Sequence, residues 1–212
     1  MTHRRLAAAV ELLRSNRRYR RYALARISST IGTTVAPLGL AFAVVDLGGG
    51  ATALGFVLMS GLLIFLAVTP AAGVLADRLP RLAIIVTCQL VCGVAQLGAA
   101  VLVLSGTATV WALAGLAVLA GAAGAFFQPA AKGLVVQLVP AGPMLVQANA
   151  LLQICFNAVA IVGPGLAGLV IAESSPGVIL AWDALTFLVS AAVFATLRLP
   201  PAARQERRRF PG

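Results

Sequence analysis

The sequence predicts an all-α membrane protein, a bundle of six transmembrane helices, and three observations lead to that fold class. Only 10% of the 212 residues are charged and 60% are hydrophobic, against roughly 25% charged in a typical soluble domain. The apolar residues gather into six runs, each close to the ~20 residues a helix needs to cross the hydrocarbon core. The 16 Lys and Arg residues all fall on, or border, the segments that one side of such a membrane would hold.

The runs cover residues 23–45, 53–72, 82–104, 110–131, 148–172 and 177–197. In hydrocarbon a spanning segment must satisfy its own backbone, which a helix does and an isolated strand does not. Breaks rich in turn-forming or charged residues separate the runs at 46–50, 73–81, 105–107, 132–147 and 173–177. The fourth break contains an apolar stretch, 133–139, that reads as a short helix on the membrane surface, followed by a firm turn at Pro140 to Pro143.

With this numbering, the N-terminal segment, the second-to-third loop, the fourth-to-fifth loop and the tail share one side. Arg78 and Arg81, Lys132 and both terminal clusters lie there, whereas Asp46 and Glu173 lie opposite. The positive-inside rule makes that side cytoplasmic, with both termini inside. The organisation expected is a basic cytoplasmic segment over 1–22, the bundle over 23–198 and a basic cytoplasmic tail over 199–212. Leu6, Val10 and Leu13 recur at helical spacing among arginines. That segment reads either as a helix lying on an anionic lipid surface or as a solvated arm. The first run is too long for a signal-peptide core and five more spans follow, so it reads as a retained helix.

The net charge of +10 would suit nucleic acid if the basic residues formed a patch. Instead they sit in loops and termini, and no nucleic-acid partner is expected. Cys88 and Cys92 share a helix face at i, i+4, but the sole histidine is His3; without a third ligand, the three cysteines read as small packing residues and no metal or other cofactor is expected. No nucleophile–base set, phosphate loop or haem spacing is present, so no enzyme is predicted.

The most informative segment is Gly73-Val-Leu-Ala-Asp77-Arg78-Leu-Pro80-Arg81, in the second-to-third loop. It resembles the signature of the major facilitator superfamily at that loop, Gly-x-x-x-Asp-Arg-x-Gly-Arg, matching at Gly73, Asp77, Arg78 and Arg81, with Pro80 in place of a glycine. The resemblance implies a conformational latch in which Asp77 engages the opposite half of a transporter. A carboxylate at a helix N-terminus with two neighbouring guanidinium groups has the charges such a latch needs. In the fifth run, Gly163-Pro164-Gly165 and Gly168 resemble the Gly-Pro motif of superfamily antiporters. Pro164 removes a backbone hydrogen bond and the glycines allow close helix contact.

Further phrases, Arg26-Ile-Ser28-Ser-Thr-Ile-Gly32, Phe127-Gln128-Pro129-Ala130, Ala148-Asn149-Ala150-Leu151 and Asp183-Ala184-Leu185-Thr186-Phe187, resemble the drug and siderophore exporter branch. The resemblance implies a six-helix bundle forming one half of a transporter, with a small-molecule substrate, proton-coupled efflux by alternating access and residence in the cell membrane. The partner implied is a second six-helix half or another copy of the chain. The alternative is a non-transporting truncated or partner-binding membrane protein. Asp183 is the clearest intramembrane charge, about 9 Å along its helix from the outer end, either bonding backbone groups near that end or serving a proton or substrate. Gln128 and Asn157, with Gln89, Gln96 and Gln153, either line a polar cavity or bond between helices.

Overall fold

A computed structural model describes residues 16–76 and 78–197. The described chain forms six helices: α1 Arg17–Asp46, α2 Ala51–Ala76, α3 Arg81–Leu104, α4 Val110–Leu138, α5 Pro143–Glu173 and α6 Pro176–Ala195. All six are long and apolar enough to cross a membrane. Each sequence run corresponds to one helix, as hydropathy requires. Asp77, the Leu6 to Leu13 segment and the basic tail lie outside the described residues.

Several boundaries differ from the sequence reading: α2 continues through Gly73 to Ala76, α5 starts at Pro143 rather than at 148, and α4 and α1 are both longer than their runs. The stretch 133–139 is not a separate surface helix; α4 runs through it to Leu138, and Leu134, Val135 and Leu138 are buried in the core. Pro129 does not end that helix, although it removes one hydrogen-bond donor. The helix α1 begins at Arg17, well before the apolar run at 23. Asn16 caps it by accepting from the backbone N–H of Arg18 and Tyr19, and its amide donates to the Leu138 carbonyl at 2.9 Å. Hydropathy ignores such a cap, and the first turns of α1 are rich in arginine.

The helices pack in the order α2–α4–α3–α6–α1–α5, each neighbouring pair making extensive contact. This order is the same from either end if α1–α3 is exchanged with α4–α6. Three spans are an odd number, so the second triple enters the membrane in the opposite sense, as in an inverted repeat. Glycine enables the closest crossings. At the α2–α4 crossing, a Cβ on Gly61 would stand 2.9 Å from the Ala117 carbonyl oxygen, and one on Gly121 would overlap the Gly61 carbonyl. At the α1–α6 crossing, a Cβ on Gly32 would overlap the Asp183 carboxylate and Thr186 hydroxyl. The core is built largely of alanine with a few large side chains such as Tyr19, Ile85, Leu134 and Phe194, the composition expected where helix backbones approach closely.

Candidate functional site

A half-open cavity of about 630 Å³ indents the bundle, with α1 contributing Arg26, Ser29, Thr30, Thr33 and Thr34 to its wall. Those polar residues follow from helical spacing, since positions 26, 30 and 33 share one face. Thr30 donates to the Arg26 carbonyl at 2.8 Å, Thr33 to Ser29 at 2.7 Å and Thr34 to Thr30 at 2.7 Å. Their protons are thus held within α1, leaving oxygen lone pairs as acceptors. Gln96 and Gln128 add amide groups from α3 and α4, while Leu40, Val57, Leu58, Leu62, Phe65, Phe127 and Phe156 make the rest of the wall chiefly apolar. An apolar cavity with a few convergent polar groups is the usual form of a small-molecule site.

One end of the bundle is fastened beneath this cavity. The Tyr19 hydroxyl donates to the Ala148 carbonyl at 2.7 Å and the Tyr22 hydroxyl to the Ala131 carbonyl at 3.0 Å. These bonds tie the start of α1 to α4 and α5, and both tyrosines are buried.

The polar candidates divide by environment. Gln128 lines the cavity. Asn157 does not: it is exposed on α5 and accepts from Gln153 at 2.8 Å within the same helix. The i, i+4 spacing of these two residues makes that pairing available without any other helix. Gln89 is buried and donates to the Ser190 hydroxyl, which in turn donates to the Ala25 carbonyl at 2.9 Å. That chain of bonds crosses α3, α6 and α1.

Asp183 is fully buried rather than near an exposed helix end. Its carboxylate faces Gly32, midway along α1, and neither oxygen has a hydrogen-bond partner of good geometry. Gln96 and Thr186 are the polar side chains close enough to act on it. The Thr186 hydroxyl itself donates to the Asp183 carbonyl at 2.8 Å. The reading in which this carboxylate bonds backbone groups at the helix end is therefore corrected. Asp183 stands behind the cavity wall, and Gln96 both lines the cavity and reaches toward it.

Sequence reasoning missed Arg26 as a site residue because it entered only the charge asymmetry and a family-like phrase, with no role of its own. It lies nine residues after Arg17 in α1, about 14 Å along the helix axis. Its guanidinium carbon stands 4.9 Å from the Phe127 ring centre and 5.2 Å from that of Phe156. The available signal was its position: an arginine inside an apolar run is a functional candidate by default.

The motif residues are split. Arg81 donates to the Gly133 carbonyl at 2.7 Å, joining the start of α3 to α4, and Arg78 is exposed. A Cβ at Gly73 would meet nothing within 4 Å. In the Gly-Pro segment, Gly163 is buried against α1, where its Cβ position is 3.3 Å from Thr34. Gly165 and Gly168 face open space, and Pro164 lies within a continuous helix. Close packing is therefore confined to Gly163 rather than extending over the whole motif.

The chain is similar to the Multidrug efflux pump Tap of Mycolicibacterium fortuitum, 32% identical over 189 residues, covering 86% of this chain and 46% of that protein. It thus spans about half the length of the relative it matches. Residues 22–211 match the Major Facilitator Superfamily, which takes in all six helices apart from the first turn of α1, and the chain belongs to that family.

Proposed function

We propose that this chain is a six-helix half of a proton-coupled exporter of small molecules, working by alternating access in the cell membrane with both termini cytoplasmic. The observation that carries the proposal is the mixed cavity around Arg26, Thr30, Thr33, Gln96 and Gln128, which offers a drug-sized solute an apolar body site and several orienting groups. The efflux pump similar to this chain supports the direction of transport.

Asp183 is the proton carrier in this reading. An ionised carboxylate without partners is costly in an apolar interior, whereas its acid form is tolerated. Gln96 links the carboxylate to the cavity, so occupancy and protonation act on each other. Asp77, Arg78 and Arg81 form the latch, with Gly73 leaving the open space that another bundle can approach. Gly163 to Gly168 give α5 a face able to approach a neighbouring helix.

The helices α2 and α5 stand at the two ends of the packing order and are the least buried. Exposed on them are Leu62, Leu63 and Leu66, and Ile161, Leu166 and Leu169, together with the Gln153–Asn157 pair. A second six-helix half, or another copy of this chain, covers these faces in the working transporter. The same exposed faces favour the rival reading of a partner-binding membrane protein that does not transport.

The test is flux of cationic, neutral and anionic fluorescent solutes in proteoliposomes under an imposed pH gradient, with the mass of the purified protein measured by light scattering. Gradient-driven flux by a dimer or two-bundle complex is expected. Robust flux by a monomer would refute the two-bundle requirement, and no flux from any assembled form would favour the rival. Asp183→Asn is expected to retain exchange without a gradient and lose gradient-driven accumulation; unchanged accumulation would remove Asp183 from the coupling.

A further inference from the structure

We infer that Arg26 is the binding site for the acidic group of an amphipathic organic anion, which makes such anions the preferred occupants of the cavity. The inference rests on the transporter reading above and names the substrate class of the same cavity.

Arg26 lines the cavity from α1, and its guanidinium lies against the rings of Phe127 on α4 and Phe156 on α5. Its buried Nε has no hydrogen-bond partner. A polar side chain that does act on Arg26 is Tyr22, whose hydroxyl proton is already given to the Ala131 carbonyl. Its oxygen is therefore free to accept from the guanidinium.

Among the described residues the site has no counter-charge, since no acidic side chain lines the cavity. Asp46 and Glu173 are exposed at the far ends of α1 and α5. Asp183 lies behind the wall, facing Gly32, which is six residues beyond Arg26 on α1 and about 9 Å along its axis. Arginine does not escape the problem by losing its proton. Two aromatic faces offset part of the desolvation of a cation, but each contributes less than removal of the charge from water costs. An incoming carboxylate or sulfonate would accept from the guanidinium edge and complete the ion pair.

The surroundings specify the rest of the ligand. Phe127 and Phe156 flank the charge, so a planar ring attached to the acid would stack beside them. Leu40, Val57, Leu58, Leu62 and Phe65 provide an apolar wall for the remainder. The Thr30 and Thr33 oxygens, whose protons are engaged within α1, remain as acceptors. They would orient a donor group on the same molecule.

The experiment measures binding of the anion 1-anilinonaphthalene-8-sulfonate and the planar cation ethidium to the full chain in zwitterionic lipid nanodiscs, with protein-free nanodiscs subtracted. Wild type is expected to bind the anion saturably and more tightly than ethidium. Arg26→Gln should weaken the anion by about tenfold or more while leaving ethidium unchanged or strengthened, and Arg26→Lys should keep most of the anion affinity. Equal anion binding by wild type and Arg26→Gln would overturn the inference, as would ethidium binding wild type as tightly as the anion does. The latter comparison stands even if Arg26→Gln does not fold. Because binding is read without flux, failure of the transporter proposal gives intact binding with no transport, whereas failure of this inference gives transport or binding indifferent to Arg26.

Discussion

Gly32→Ala tests whether the α1–α6 crossing depends on the absence of one side chain. The added Cβ would overlap the Asp183 carboxylate and Thr186 hydroxyl, both of which can rotate away. It would also stand 2.9 Å from the Asp183 Cα, which cannot. Restoring ordinary carbon–carbon separation of about 3.5 Å moves the two helices apart by roughly 0.6 Å. Overpacking of a fitted interface costs about 1–3 kcal/mol, against a gain of about 0.5–1 kcal/mol for replacing a helical glycine with alanine. The expected net loss is about 1–2 kcal/mol. The assay is reversible unfolding in mixed detergent micelles followed by circular dichroism, with Gly165→Ala as the control. Gly165 is also helical but has open space at its Cβ position, so its substitution should be neutral or mildly stabilising. If both variants unfold alike, the crossing does not depend on Gly32 and the proposed confinement of Asp183 fails with it.

Two further outcomes follow from the arrangement. In a background without native thiols, a cysteine at position 48 should react with an impermeant reagent in intact cells and one at position 78 should not, because Lys and Arg mark the cytoplasmic side; the reverse pattern would invert the topology. Tyr19→Phe keeps the buried ring but removes the donor to the Ala148 carbonyl, and should lower stability by about 0.5–1.5 kcal/mol in the same unfolding assay, whereas no change would mean that packing alone holds that end.

The number and approximate extent of the helices were legible because hydrocarbon leaves so few ways to satisfy a backbone. Their packing order was not, because apolar side chains face both lipid and neighbouring helices and hydropathy does not distinguish them. Leu134 and Leu63 illustrate the difficulty: the first is fully buried and the second largely exposed, yet each is a leucine in an apolar setting. The glutamines were ambiguous for a related reason. Gln89 finds a hydroxyl on another helix, Gln128 faces the cavity and Gln153 pairs within α5. Residue type gives each of them the same capacity, and only tertiary placement chooses the partner.

Arg26 and Asp183 show why intramembrane charges must be judged by their surroundings rather than their distance from a run's end. Hydropathy placed Arg26 just inside the edge of its run, where a long side chain can extend its charge to the interface. The Asn16 cap and the arginine-rich first turns extend α1 outward, and the tyrosines fasten that extension to α4 and α5. The guanidinium is thereby turned toward Phe127 and Phe156 instead of water. Asp183 likewise counted as near an end along α6, but α1 covers it at Gly32. One opposite charge thus reaches the cavity directly and the other only through Gln96. In the proposed cycle this separation lets an anion neutralise Arg26 without requiring Asp183 to ionise, so solute binding and proton transfer remain distinct steps acting through the same wall.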